Sequence, residues 1–162
     1  MSATEEFEEF ARARLSQLYR TAWLLTGDRH HAEDLVQDTL ANLLKVWHRI
    51  ENPNAYARTA LVRTYISQRR RKSWGERPTG VLPEVVERAG DVELRVALQS
   101  ALGELAPLDR AVLVLRFFED RSVEQVALDL GKKTSAITTR TARALERLRA
   151  VLGDGADQLI AL

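Results

Sequence analysis

The stretch VEQVALDLGKKTSAITTRTARALERLR, Val123–Arg149, carries two helical patterns joined at a single glycine. The first covers Val123–Leu130, and the second runs from about Thr134 to Leu152. Gly131 stands where a tight turn requires a backbone free of side-chain hindrance. The tetrapeptide SVEQ, which begins at Ser122, is typical of a capping box at a helix start. The stretch therefore predicts a helix-turn-helix.

The second helix of this motif would turn hydroxyls and arginines outward, with apolar residues packed against the first helix. Short hydroxyls approach phosphates and base edges, and arginine can bind guanine through two hydrogen bonds. Lys132 and Lys133, at the helix entrance, suit phosphate contacts. The alternative is a solvated helix face in an ordinary bundle. The residues predicted to face outward are Thr134, Ser135, Thr138, Thr139, Arg140 and Arg143.

The rest of the chain also follows helical periodicity, and this predicts an all-α fold. Asp28 and Asp109 are expected to cap helix starts, because aspartate at that position accepts hydrogen bonds from free backbone N–H groups. On the third helix, Tyr56, Leu61 and Tyr65 are expected to point mostly inward. The predicted helices are Phe7–Leu25, the segment from Asp28 to Trp47, the segment from about Ala55 to Arg71, Leu94–Leu105 and Ala111–Phe118.

A segment rich in glycine, proline and charge, GERPTGVLPEVVERAGDVE, covers residues 75–93 and predicts a flexible linker. It divides the chain into two small helical domains, residues 4–74 and 94–152, followed by a tail at 153–162. Each domain is small for a hydrophobic core, and short helical bundles are the economical way to build one.

Composition excludes several classes of function. The chain has 162 residues, no cysteine and three histidines, so disulfides and thiolate metal sites are excluded and a zinc site is not expected. It carries neither a long apolar run nor the apolar core of a signal peptide, which predicts a cytoplasmic protein without a membrane segment. No nucleophile, phosphate loop or set of metal ligands is apparent, so we expect no catalytic residues, metal or cofactor.

The formal net charge of +1 hides two basic stretches, residues 58–77 and 132–149, which flank an acidic segment. The first stretch combines arginines with aromatic residues. Basic side chains follow a phosphate backbone, while tyrosine or tryptophan can stack on exposed bases. The alternative is a basic helix end stabilised by its own dipole. Two basic helices in two domains favour one extended nucleic-acid partner.

Acidic and amide side chains, Asp34, Gln37 and Asp38, gather near the start of the second helix. The simplest explanation is negative charge that the helix dipole favours. Paired carboxylates can also mark a metal or acid–base site, but no third ligand stands at a suitable spacing. A protein-docking face is the better functional interpretation.

These features together resemble the extracytoplasmic-function (ECF) bacterial sigma factors, in particular their SigE-like branch. LTGDRHHAEDLVQDTLANLLKVWHRIENPNAYARTALVRTYISQRRRKSW resembles their second region. LGELAPLDRAVLVLRFFEDRSVEQVALDLGKKTSAITTRTARALERLR resembles their fourth region. The resemblance covers about residues 7–150 in the family order. It implies a factor that binds core RNA polymerase, recognises the minus-ten and minus-thirty-five promoter elements and helps to melt the duplex.

The resemblance also implies roles for particular residues and partners. Asp34, Gln37 and Asp38 would dock on the clamp helices of the polymerase β′ subunit, and the β flap would be a further contact. Arg116 and the helix-turn-helix residues above would bind the minus-thirty-five element. The factor would be associated with the nucleoid when bound to polymerase, and an anti-sigma factor is an additional possible partner. The minus-ten candidates are Arg58, Arg63, Gln68, Arg69 and Arg70.

The chain departs from its relatives at two places. Arg63 stands where many have asparagine in the minus-ten helix, and KKTSAITT replaces a common CSVGTVKS at the entrance of the recognition helix. Two other functions remain open. One is a stand-alone regulator that uses only the helix-turn-helix, and the other is a degenerate sigma factor that sequesters core polymerase.

Overall fold

The computed structural model describes residues 2–71 and 92–153 of the chain. The described residues form helices and connecting turns, with no strand among them. Most of the predicted linker, residues 75–91, and most of the predicted tail, residues 154–162, lie outside the described residues, while residues 92 and 93 of the predicted linker belong to the first turn of a helix. The helices are α1 (Ala3–Thr26), α2 (Arg29–Val46), α3 (Pro53–Arg71), α4 (Val92–Gly103), α5 (Pro107–Leu113), α6 (Val123–Leu130) and α7 (Thr134–Leu152).

The N-terminal helices α1, α2 and α3 pack on one another and begin and end at recognisable signals. Ser2 caps α1 by accepting from the Glu5 backbone N–H. Gly27 ends α1 in the left-handed conformation, with φ of 71°. Asp28 then caps α2, as predicted, by accepting from the His30 backbone N–H.

The C-terminal helices contain the predicted helix-turn-helix. Ser122 accepts from the Gln125 backbone N–H at 3.1 Å, and the Gln125 side chain accepts from the Ser122 N–H at 2.9 Å. This reciprocal pair is the predicted capping box. Gly131 ends α6 with φ of 64°, so the prediction of an unhindered turn residue is confirmed.

Two features of α5 differ from the prediction. The helix begins at Pro107, and its N-cap position is held by Ala106 without a side-chain hydrogen bond, so Asp109 lies inside the first turn and is not the cap. Proline suits the first helical position because its missing N–H would be unpaired there in any case. The helix also stops at Leu113, and Val114–Phe118 continue as one wider π-helical turn. Its characteristic i+5 bond joins the Glu119 N–H to the Val114 carbonyl at 3.0 Å.

Several apolar residues on the helical stripes, among them one predicted to point inward, lie outside the core. Tyr56 is 43 % exposed, whereas Leu61 and Tyr65 on the same helix are buried as predicted. Leu44 and Val96, which continue apolar stripes of α2 and α4, are also exposed. In each case the stripe is wider than the surface that the neighbouring helices cover.

One buried cluster extends through both halves of the molecule. It includes Trp23 and Leu25 of α1, Leu61 of α3, Leu102 of α4 and Leu113 of α5, each at most 2 % exposed. The helices α1 and α3 contact α4, α5 and α6 across the boundary between the halves. The two small domains thus rest against each other and share a continuous interior.

Candidate nucleic-acid interface

The helix α7, the predicted recognition helix, presents a polar face to solvent. Thr134, Ser135, Thr138, Thr139 and Arg143 are exposed, and the opposite side is anchored by buried Ile137, Ala144 and Leu148. The hydroxyls of Thr138 and Thr139 donate to helix carbonyls one turn back, both at 3.0 Å. Their oxygens therefore remain available as acceptors, which suits the exposed amino groups of cytosine or adenine.

Arg140 differs from the other predicted readers on α7 because it already has a partner. Its guanidinium donates to the Asp109 carboxylate of α5 at 2.8 Å, and the Arg140 side chain is 35 % exposed. The carboxylate is only 15 % exposed, so it is held firmly by the body of the domain. The ion pair restricts the rotamers of Arg140 and sets the direction in which its remaining donors point.

Arg116 lies on the π-helical turn and is directed into the domain. Its Nη1 donates to the Arg121 carbonyl at 2.8 Å, and its guanidinium stands 5.4 Å from the Phe117 ring centre. Its Nε is buried without a partner in the described part of the chain. Lys132 and Lys133 are exposed at the entrance of α7, where phosphate contacts are sterically open.

The basic helix α3 carries the other predicted nucleic-acid residues, and they divide into two groups. Arg70 is exposed and Arg69 and Arg58 are half-buried, so all three reach the surface. Gln68 is only 8 % exposed, and its amide donates to the Asp38 carboxylate of α2 at 2.7 Å. Gln68 therefore ties α3 to α2 and is not presented to a ligand in this conformation.

Arg63 of α3 contacts the other half of the molecule. Its Nε donates to the Asp129 carbonyl at 2.8 Å, and its Nη2 donates to the Leu128 carbonyl at 3.4 Å. Thr59, one turn earlier, donates to the Asp129 carboxylate at 3.4 Å. Asp129 also holds the Arg121 guanidinium, at 2.8 and 3.0 Å.

This helix lines at least two cavities. The first, of about 210 Å³, lies between α1 and α3. It is lined by Asn54 and Arg58 and also by Glu119 of the C-terminal half. The second, of about 410 Å³, opens between α3 and the helix-turn-helix. Four cations and no carboxylate line the second cavity, which we call the basic cleft; the cations are Arg63, Arg70, Arg71 and Lys132.

The predicted protein-docking residues lie on the outer side of α2. Asp34, Gln37 and Asp38 are exposed, while Leu35, Val36 and Thr39 between them are buried. The helix therefore offers a short acidic and amide surface on a rigid element. Asp38 belongs to this surface and to the link with Gln68, so it joins α2 to the basic helix α3.

Arg110 of α5 is a charged residue that sequence reasoning missed. It is 6 % exposed, and its Nε donates to the Leu24 carbonyl of α1 at 2.7 Å. Its Nη2 donates to the Gln99 side chain at 2.6 Å, and Gln99 in turn donates to the Trp23 carbonyl at 3.0 Å. Burial lowers the pKa of the guanidinium to about 10, an effect that nearby Tyr65 opposes. A lone arginine inside the apolar run PLDRAVLVL was the available signal.

No helix of the described segments has the length and apolarity needed to cross a membrane. Within residues 2–71 and 92–153, no three histidine, cysteine, aspartate or glutamate side chains are grouped as metal ligands would be.

Comparison with protein families gives two matches in the same order as the two halves. The model described as Sigma-70 region 2 matches residues 10–75, and the model described as Sigma-70, region 4 matches residues 95–148. The chain is 36% identical to the RNA polymerase sigma-E factor of Streptomyces coelicolor, over 92% of this chain and 87% of that protein. It is 31% identical to the ECF RNA polymerase sigma factor SigL of Mycobacterium tuberculosis, over 83% and 82% of the two chains.

The fold also matches a solved structure. The sigma factor RpoE of Bartonella quintana, crystallised in complex with the anti-sigma factor NepR, superposes with a TM-score of 0.68. The match covers 93% of this chain and 98% of the other at 24% identity, so it supports the fold alone.

Proposed function

The chain belongs to the extracytoplasmic-function sigma factors of the sigma-70 family, and we propose that it is a promoter-specificity subunit of RNA polymerase. It would bind core polymerase, direct it to promoters through the minus-ten and minus-thirty-five elements, and assist melting of the duplex. The observation that carries the proposal is the presence of regions 2 and 4 in order, each with a basic helical surface.

Region 2 would supply the polymerase contact through α2. The exposed side chains of Asp34, Gln37 and Asp38 form a compact surface on a helix whose other side is buried. A surface of this kind suits a basic or amide-bearing partner helix such as a polymerase clamp helix. Charge complementarity would speed association and fix the orientation of docking.

The basic helix α3 would capture the minus-ten element as a single strand. Arg58, Arg69 and Arg70 reach the surface and suit phosphate contacts, while the cavity beside Asn54 offers space for an unstacked base. Unstacking a base costs a few kcal/mol, and stacking and phosphate contacts in the protein offset that cost. Opening would therefore proceed by capture of bases that leave the duplex.

Region 4 would read the minus-thirty-five element as a duplex. The exposed hydroxyls of α7 and Arg143 face outward from a helix that follows a glycine turn, which is the arrangement that enters the major groove. Lys132 and Lys133 would hold the backbone at the entrance of this helix. The role is non-catalytic, since polymerase performs the chemistry, and it would be exercised in the cytoplasm.

Run-off transcription tests this proposal. Purified core RNA polymerase would be mixed with the chain and with promoter fragments from the genome that encodes it. New transcripts with defined start sites are expected, and core enzyme alone serves as the control. Absence of any transcript above that control would refute the function. Tight operator binding without polymerase would instead favour the stand-alone regulator, although the match to region 2 argues against it.

A further inference from the structure

The helices α1 and α6 end without a cation of their own. The last turns of α1 and of α6 contain no basic residue. The final carbonyls of a helix carry partial negative charge and are left without intrahelical donors, so a nearby cation stabilises them. Each of these two ends receives an arginine from the opposite domain.

Region 4 caps the end of α1. Arg110 donates to the Leu24 carbonyl at 2.7 Å, and Gln99 donates to the Trp23 carbonyl at 3.0 Å. The fit is close, because a Cβ at Gly27 would stand 3.0 Å from the Gln99 side-chain oxygen and 3.3 Å from Arg110 Nη2. Arg110 and Gln99 also bond to each other at 2.6 Å and act as one unit.

Region 2 in turn caps the end of α6 in region 4. Arg63 donates to the carbonyls of Asp129 and Leu128, which lie in the last turn of α6. This guanidinium belongs to the proposed minus-ten surface, so while it caps α6 its Nε and one Nη2 hydrogen are not available to a DNA phosphate or base.

Glu119 of region 4 enters the proposed minus-ten site at a second point. It lines the cavity that also contains Asn54 and Arg58, and it accepts a hydrogen bond from the Thr21 hydroxyl. A carboxylate at that place repels a phosphate and occupies part of the space proposed for an unstacked base.

The closed arrangement is also too short for a promoter. The minus-ten and minus-thirty-five elements are, by their names, about 25 base pairs apart, which is about 85 Å along B-form DNA. A compact chain of this length has a radius of gyration of about 15 Å, so it is about 40 Å across. Both elements are therefore engaged together only after the domains separate.

We propose that reciprocal arginine capping, Arg110 on α1 and Arg63 on α6, holds the free chain in a closed state that blocks the minus-ten surface. The exposed face of α7 stays accessible, so closure inhibits single-strand capture and not duplex reading. The conformational claim stands on the contacts alone, while its consequence for DNA rests on the proposed function.

The same contacts allow the domains to part. Arg110 is a buried cation that donates to a carbonyl oxygen of Leu24 and an amide oxygen of Gln99, and the desolvation of such a charge offsets much of what the contacts contribute. Residues 72–91 join the domains, and a chain of that length extends to at most about 70 Å. Binding to polymerase would separate the domains, and it must supply the free energy needed to expose the apolar residues that the two halves share.

Distance measurement between two spin labels tests the closed state directly. The chain has no cysteine, so Asn42→Cys on α2 and Ala142→Cys on α7, both exposed, can be labelled specifically. The wild-type pair is expected to give one narrow distance distribution. Arg110→Met should give a broad distribution at longer distances, and Arg12→Met, an exposed arginine of α1, is the matched control.

Two further variants keep the closed state testable if Arg110→Met fails to fold. Gln99→Ala removes the second donor to α1, and Arg63→Gln removes the cap on α6; each should also broaden the distribution. Circular dichroism would establish that helix content is unchanged. A narrow distribution that survives in all three folded variants, or a broad distribution in the wild type, would overturn the proposal.

Fluorescence anisotropy then tests the consequence for DNA. The probes are a random-sequence single-stranded 12-mer and a random-sequence 20-base-pair duplex. Arg110→Met should bind the single strand about tenfold more tightly, because apparent affinity rises with the open fraction, and should bind the duplex equally well. Equal single-strand affinity in a variant with separated domains would refute masking and leave the closed state standing. Failure of run-off transcription would refute the proposed function and leave these readings unaffected.

Discussion

At the scale of single residues, Arg140 shows how a predicted DNA reader is shaped by its neighbour. Periodicity along α7 places it on the outward face, yet its guanidinium lies 2.8 Å from the Asp109 carboxylate. The ion pair fixes one edge of the guanidinium and leaves the other edge for DNA. If Arg140 reads DNA as proposed, Asp109 would act on recognition through it, whereas Arg143 has no such contact within the described residues.

A double-mutant cycle measures that coupling. Arg140→Ala and Asp109→Asn should shift the preferred minus-thirty-five sequence in the same way, each by about 1–3 kcal/mol at the affected base. The double variant should be no worse than Arg140→Ala, because Asp109 has no path to DNA except through that arginine. Arg143→Ala should add to either change.

The measurement is selection of promoters from a randomised minus-thirty-five library in run-off transcription. Additive effects of Asp109→Asn and Arg140→Ala would contradict the coupling. Unchanged selection in both Arg140→Ala and Arg143→Ala would mean that the assigned reading face is wrong.

At the scale of helices, local sequence was informative wherever local chemistry determines the structure. The bounds of α6 and α7 agree with the prediction because Ser122, Gln125 and Gly131 specify the start and end of the motif through their own hydrogen bonds and backbone angles. Asp28 marks the start of α2 for the same reason. These signals need no information about the rest of the molecule.

Prediction failed where two local signals compete or where distant packing decides. Both Pro107 and Asp109 are helix-start signals, and proline took the first position while aspartate paired with α7. The exposure of Tyr56 depends on which neighbouring helix covers that side of α3. The roles of Arg63 and Arg110 arise from contacts more than 60 residues distant in sequence, which periodicity does not reveal.

The double role of Asp38 leads to a prediction about α2. Asp34→Arg and Asp38→Arg should both weaken binding to core polymerase by at least about tenfold, through loss of charge complementarity on the docking surface. Only Asp38→Arg should also lower the melting temperature, because it leaves the buried Gln68 amide without its acceptor at a cost of about 1–3 kcal/mol.

Glu104→Arg, an exposed reversal of charge in region 4, is the matched control for both measurements. Core binding would be followed by fluorescence polarisation and stability by thermal denaturation. If Asp34→Arg binds core polymerase normally, α2 is not the docking helix. If Asp38→Arg melts like the wild type, its bond to Gln68 does not stabilise region 2.

At the scale of the whole molecule, the two proposed DNA surfaces are useful only in combination. Each domain presents a limited set of contacts, and a connecting chain raises the effective concentration of the second domain once the first has bound. The same connecting chain also favours the closed state, because it keeps each domain close to the helix end that it caps in the other domain. Polymerase, by holding the domains apart, would replace these internal contacts with promoter contacts.

Closure also brings like charges together, and this predicts a dependence on salt. The basic cleft collects Arg63, Arg70, Arg71 and Lys132 from both domains without a lining carboxylate, so their repulsion opposes the reciprocal caps.

Raising the ionic strength from about 0.01 M to 0.1 M shortens the screening length from about 30 Å to about 10 Å and weakens that repulsion. Arg110 is only 6 % exposed, so screening affects its cap less. The narrow, closed component of the spin-label distances should therefore grow with added salt, and Lys132→Gln should reduce the growth by removing the cation that region 4 contributes. A closed component that shrinks with salt would mean that ionic attraction, and not hydrogen bonding to helix ends, holds the two domains together.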